Sequence, residues 1–281
     1  MKICYSAESA IDLELNNEFD VKVVPFSFSI DDNLYKDGEI TNGEIFSLAR
    51  KHKTIPKTSA VNISEFIEHF RKLKKEGYET IVHFSMSSKL SSAYQNAIIA
   101  SRNFENVYVV DSLSLSSGIL LLLLEFKKLI DEGVDIKMAL EMIESKKKDI
   151  QVSLIVENLD YIHKGGRCSM IQYLGASLLK VRPMLVLKDG KLEPSKRFMG
   201  NYIKCIKDYT NTILNRYNNP DKELCFINYT SYDPEMVDAI KSELKDIGFK
   251  RIIESMSGST IASHAGENAI ALIYLNKEKS F

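Results

Sequence analysis

The chain has 281 residues, of which 44% are hydrophobic and 27% charged, the balance of a globular protein long enough for two ordinary domains. A net charge of −1 gives no electrostatic basis for binding nucleic acid or inserting stably into a membrane. The four cysteines, Cys4, Cys168, Cys205 and Cys225, form no C-x-x-C pair and have no histidine at zinc-finger spacing, so reduced thiols in a cytoplasmic protein are expected.

In chain order, strands are predicted over 2–5, 21–30, 80–84, 107–110 and 151–156, then over 184–187, 191–194, 224–229, 251–254 and 269–275. Helices fall between them. Thr41 to Glu44 reads as a capping box. Ile63, Phe66, Ile67, Phe70 and Leu73 share one helix face, and Gly77 follows it. The apolar run 119–124 is far shorter than the roughly 20 residues of a membrane span and reads as a buried helix. Ile136, Ala139, Leu140 and Ile143 repeat the helical pattern after Asp135. Asp233-Pro234 starts a helix that Gly248 closes. Alternating strands and helices imply an α/β fold with mostly parallel sheet. Asp189-Gly190 between two short strands signals a hairpin that breaks the rhythm. Two α/β domains are therefore expected, 1–160 and 161–281.

Ligands of α/β sheets bind beyond the carboxyl ends of strands, where helix starts expose N–H groups. The strand over 80–84 is followed by Ser85, Ser87, Ser88, Ser91 and Ser92, five serines in eight residues. Capping uses one or two of them; the rest suit an anion. Thr58 and Ser59 precede a helix that Asn62 and Glu65 can cap, which leaves their hydroxyls free. The small-residue segment 257–266 carries one titratable group, His264. Arg167, in Lys164-Gly165-Gly166-Arg167, is a fork-shaped donor suited to carboxylate or phosphate, or a loop charge. Glu8-Ser9 and Asp111-Ser112 are strand-end polar pairs, expected to cap helices. Phosphate-loop, dinucleotide, nucleophile-elbow and H-E-x-x-H motifs are absent, so no catalytic residue and no metal is assigned.

In this order the pieces resemble the DegV family of bacterial fatty-acid-binding proteins. The resemblance runs through Ala7-Glu8-Ser9-Ala10-Ile11-Asp12-Leu13, Thr58-Ser59, Ser87 to Gln95, Asp111-Ser112 with Gly118, Lys164 to Cys168, Arg182 to Gly190, and His264-Ala265-Gly266. It implies two α/β domains with a long-chain fatty acid, palmitate-, stearate- or oleate-like, held between them. It also implies a carboxylate bound by Thr58 and Ser91 with His264 close by and Ser59 and Ser92 adjacent. On physical grounds His264 is expected as a third donor and Arg167 at the mouth. The resemblance implies a carrier that presents the acid to a separate fatty-acid kinase, without catalysis of its own. Two alternatives from the residues are an enzyme of phosphoryl or acyl transfer using the serine-rich turn and His264, and a non-lipid small-molecule sensor.

Overall fold

The computed structural model describes residues 2–157, 159–167 and 181–277. Strand β1 (Ile3–Glu8) leads through helix α1 (Asn16–Phe19) to β2 (Val21–Val24), parallel to it. The strand expected over 21–30 is broken at Pro25, which has no N–H for a ladder. Beyond it, β3 (Ser27–Ile30) joins a different sheet. Asp31 and Asp32, with φ of 47° and 64°, turn β3 into β4 (Asn33–Lys36) with Ile30 opposite Asn33. That two-residue hairpin needs positive φ at both turn positions, which aspartate tolerates better than most residues.

Helix α2 (Asn42–His52) starts on the expected capping box, Thr41 with Glu44. Strand β5 (Lys57–Ser59) then pairs antiparallel with β3, placing Thr58 opposite Phe28. Helix α3 (Ile63–Lys75) buries Phe66, Phe70 and Leu73 and is boxed by Asn62 and Glu65. It leads to β6 (Thr80–Ser85), α4 (Ala93–Ser101) and β7 (Val107–Asp111). The four parallel strands lie in the order β2-β1-β6-β7. The chain leaves β1 to one side and returns on the other, so β1 and β6 flank a switch point, the usual location of a crevice in such sheets.

Helix α5 (Ser117–Asp131) carries the apolar run, and its first half is buried. Ile119 to Leu123 and Phe126 are buried in one core with Phe84 of β6 and with Val152, Phe226 and Ile273 of the second sheet. Burying each such side chain contributes about 1.5–3 kcal/mol relative to exposure. Gly118 permits the close approach, since a Cβ there would lie 2.8 Å from Val152 Cγ2 and collide with Ser114 Oγ. Helix α6 (Ile136–Lys146) follows where the pattern placed it, and the Asp135 side chain caps it by accepting from the Lys137 amide.

The second sheet holds β8 (Ile150–Ile155), β9 (Val181–Lys188), β10 (Lys191–Met199), β11 (Pro220–Tyr229), β12 (Arg251–Met256) and β13 (Ile270–Asn276), in the order β10-β9-β8-β13-β11-β12. The α/β layering is as expected, but this sheet is mixed, with β11–β12 its parallel pair and its other described pairings antiparallel. Strand β8 pairs with β9 and β13, so a division by sheet membership falls before Ile150, earlier than the expected break after residue 160. Helices α7 (Asp160–Gly165), α8 (Tyr202–Arg216), α9 (Pro234–Ile247) and α10 (Ser259–Ala265) complete the described chain. Among the described residues no helix is long and apolar enough to cross a membrane.

Two buried carboxylates fasten the first half to the second. Asp12 accepts from Ser116 Oγ at 2.9 Å, from Ser117 Oγ, and from Asn228 Nδ2 of β11 at 2.6 Å. Burial pushes its pKa up to about 7, against the pull of the Ser117 and Ser116 donors. Asp37 accepts from Ser9 Oγ at 2.8 Å and from the α10 backbone amides of Ser259 at 2.5 Å and Thr260 at 3.3 Å. Burial raises its pKa as well.

Candidate functional site

A cavity, partly open to solvent, lies between the halves. Its first-half wall includes Phe26, Ala60, Met86, Leu90 and Leu115, and its second-half wall Leu154, Ile162, Leu192, Ile261 and Ala265. The wall is overwhelmingly apolar, and its polar side chains include Thr58, Ser59, Ser91, Thr260, His264 and Arg167. Thr58, Ser91 and His264 come from β5, the turn after β6, and α10, so chain positions more than two hundred apart meet here.

Thr58 Oγ1 and His264 Nε2 are 2.7 Å apart. The other ring nitrogen, Nδ1, is buried and has no hydrogen-bond partner among the described residues. Burial, and then the charge of Arg167, push the His264 pKa down to about 4, so the ring is neutral at physiological pH. Ser91 Oγ accepts from the Ala93 amide at 3.1 Å, and its own proton remains available to a ligand. Ser59 is exposed at the cavity rim. Ser92 is also exposed and lines an adjoining open groove with Ser88, Lys89, Lys191 and Glu193. Leu90, Ser91, Arg167 and Leu192 border both spaces and mark the mouth. Arg167 ties the mouth together, its Nη1 donating to Gly165 O at 2.7 Å and its Nε to Leu90 O at 3.4 Å.

The serine-rich turn divides its labour. Ser85 Oγ donates to Glu8 Oε1 at 2.5 Å, and Ser87 Oγ donates to Gly190 O, at the β9–β10 hairpin tip, at 2.7 Å. These two serines build the turn; Ser91 faces the cavity. Glu8 and Asp111 differ from their expected capping role. Glu8, fully buried, receives the Met86 amide at 2.9 Å, and Asp111 Oδ1 receives the amides of Ser88 and Leu113, each at 3.1 Å. Both hold the turn that presents Ser91. Ser9 receives the Phe26 amide at 2.9 Å and also caps no helix.

Behind the turn is a buried polar chain that sequence reasoning missed. Ser6 Oγ bridges His69 Nε2 at 2.8 Å and His83 Nδ1 at 3.0 Å, and His83 Nε2 lies 3.3 Å from Glu8. Burial, with the nearby His83 and Lys72, pushes the His69 pKa down to about 3. The alternation of polar and apolar residues along β1 and β6 was the available signal, hidden because both faces of these strands are covered. Cys4, Cys205 and Cys225 are free and buried, and Cys168 lies outside the described residues. Among the described residues no group of three or more metal-ligating side chains forms.

The fold and site define an α/β protein with a parallel and a mixed sheet and, between its halves, a mostly apolar cavity lined also by hydroxyl and imidazole groups. Residues 2–277 match the family model described as "Uncharacterised protein, DegV family", and the chain belongs to that family. A DegV domain-containing protein of Streptococcus pneumoniae is 29% identical over 277 residues, 97% of each chain. A Thermotoga maritima protein named fatty acid-binding protein is 30% identical over 209 residues, 72% of this chain and 73% of that one. A solved DegV family protein from Thermus thermophilus, whose reported subject is fatty acid binding, superposes with a TM-score of 0.86 at 28% identity, covering 99% of this chain and 100% of that one.

Proposed function

We propose that this protein binds one long-chain fatty acid, with the acyl chain in the apolar cavity and the carboxylate at Thr58 and Ser91. The observation that carries the reading is the meeting of Thr58, Ser91 and the Thr58–His264 pair at one lined space whose remaining wall is apolar. Burial stabilises the tail by roughly 0.8 kcal/mol per methylene, on the order of 10 kcal/mol for a long chain, against association costs of several kcal/mol. A buried carboxylate is costly unless hydrogen-bonded, and two hydroxyl donors meet that need.

The same donors suit a carrier. Neutral hydroxyls satisfy the carboxylate oxygens without neutralising them, so an oxygen stays able to attack the terminal phosphorus of ATP with ADP leaving. The protein then presents the acid to a separate kinase and performs no chemistry itself. Palmitate, stearate and oleate are the acids expected to fit.

Isothermal titration with palmitate, and with hexadecanol as the uncharged control, tests the reading. Saturable one-to-one binding of palmitate, with hexadecanol weaker by about ten-fold or more, is expected for two charge-assisted bonds. Equal affinity for both would remove the carboxylate assignment, and binding of neither would remove the lipid.

A further inference from the structure

Two adjacent glycines end α7, and they are there for different reasons. Gly166 has φ of 68° and closes the helix in the left-handed conformation. Gly165 is still helical, so its backbone has no need of glycine, and at such a position alanine is ordinarily the better helix former. What excludes a side chain there is the His264 ring. A Cβ on Gly165 would overlap Nδ1 and lie 3.2 Å from Cε1 and 3.5 Å from Cγ. A matching contact holds the other end of the helix pair. Gly266, with φ of 81°, faces Tyr161, whose Cδ2 would be 3.0 Å from a Cβ. Helices α7 and α10 thus dock by a ring laid on a glycine in each direction, and Arg167 anchors the Gly165 carbonyl.

We propose that Gly165 is a positioning residue of the carboxylate site. By leaving only backbone against Nδ1, it seats the His264 ring so that Nε2–H donates to Thr58 Oγ1, and the Thr58 hydroxyl proton is left for the ligand. The inference rests on the reading of Thr58 as a carboxylate donor. The proton assignment follows from the two ring nitrogens. A buried N–H without an acceptor is rarely tolerated, whereas a buried lone pair is less costly. Nδ1 has no partner among the described residues, so the proton sits on Nε2. A threonine hydroxyl has one proton and two lone pairs. With one lone pair taken by Nε2–H, its proton points elsewhere, and the cavity is where a carboxylate would meet it. His264 therefore acts through Thr58, in place of the third direct donor expected from the sequence.

The test is a double-mutant cycle on full-length protein, with Gly165→Ala, His264→Ala and both together, read by palmitate affinity and melting temperature, plus imidazole ¹⁵N spectra of the wild type at neutral pH. Gly165→Ala is expected to weaken palmitate by about ten-fold in the wild-type background and to have almost no further effect on His264→Ala. The spectra are expected to show a neutral ring protonated on Nε2. An equal loss from Gly165→Ala in both backgrounds, or a wild-type proton on Nδ1, overturns the proposal. If the wild type fails to bind palmitate, the carboxylate reading falls, and the same spectra taken on Gly165→Ala decide the role of Gly165: a displaced or re-protonated His264 ring supports it, and spectra identical to wild type overturn it.

Discussion

Replacing Thr58 with valine isolates one hydroxyl. Valine keeps the β-branched shape that suits β5, and the backbone pairing with Phe28 is untouched. Two bonds are lost. The first is the donor to the carboxylate, worth about 1.5–3 kcal/mol for a hydrogen bond to a charged group, which is roughly 10- to 150-fold in affinity. The second is the acceptor that Nε2 of His264 holds at 2.7 Å. Leaving that N–H unpartnered costs about 1–3 kcal/mol of stability and lowers the melting temperature by several degrees in a chain of this size. Fluorescent fatty-acid displacement, run with palmitate and with hexadecanol, separates the terms. Palmitate is expected to lose the full factor and hexadecanol much less. A folded Thr58→Val protein that binds palmitate within about two-fold of wild type would refute the reasoning. So would an equal loss for both ligands, which would mean a distorted cavity.

Ala60→Phe places a large ring at a partly exposed position on the cavity wall; longer acids should lose more affinity than shorter ones in a displacement series, at a stability cost of about 1–3 kcal/mol. Gly190→Ala should weaken palmitate binding and stability together in paired titration and melting curves, because a Cβ at φ of 78° would sit 2.5 Å from Ser87 Oγ and 3.1 Å from Leu113 Cδ2, displacing the turn that carries Ser91. Burial raises the Asp12 pKa to about 7, above the roughly 3.9 of an aspartate in an unfolded chain, so its protonated form is the one that folding favours. Its contribution is full below pH about 4 and is lost as pH rises towards 7, and Asp12→Asn should flatten the fall in melting temperature across that window. An unchanged slope would place the titration elsewhere.

Much of the fold can be read where a local rule decides it. Both capping boxes form, at Thr41–Glu44 and Asn62–Glu65. Asp189 and Gly190 make the expected hairpin, with Lys188 opposite Lys191. The apolar stripe of α3 is buried as its spacing requires. The misses share a cause. A strand expected over 21–30 divides because Pro25 ends one ladder and a new sheet takes over, and only the partner strands reveal that. β5 has three residues, too few for periodicity to register, yet it orients Thr58. At the site, residue types pointed to the serine-rich turn, to His264 and to Arg167, and the resemblance to the DegV family singled out Thr58 and Ser91. The buried carboxylates did not stand out, because Asp12 meets Asn228 across 216 positions and Glu8 meets Met86 across 78. Likewise, nothing local distinguishes Gly165 from Gly166. One serves its own backbone and the other a ring 99 positions away.

Native mass spectrometry of the protein purified from a bacterial host without added lipid tests fatty-acid binding most directly. A bound species matching one long-chain fatty acid per chain, released on denaturation, is the expected result. A chain that stays lipid-free, even after incubation with palmitate, stearate and oleate, would contradict it.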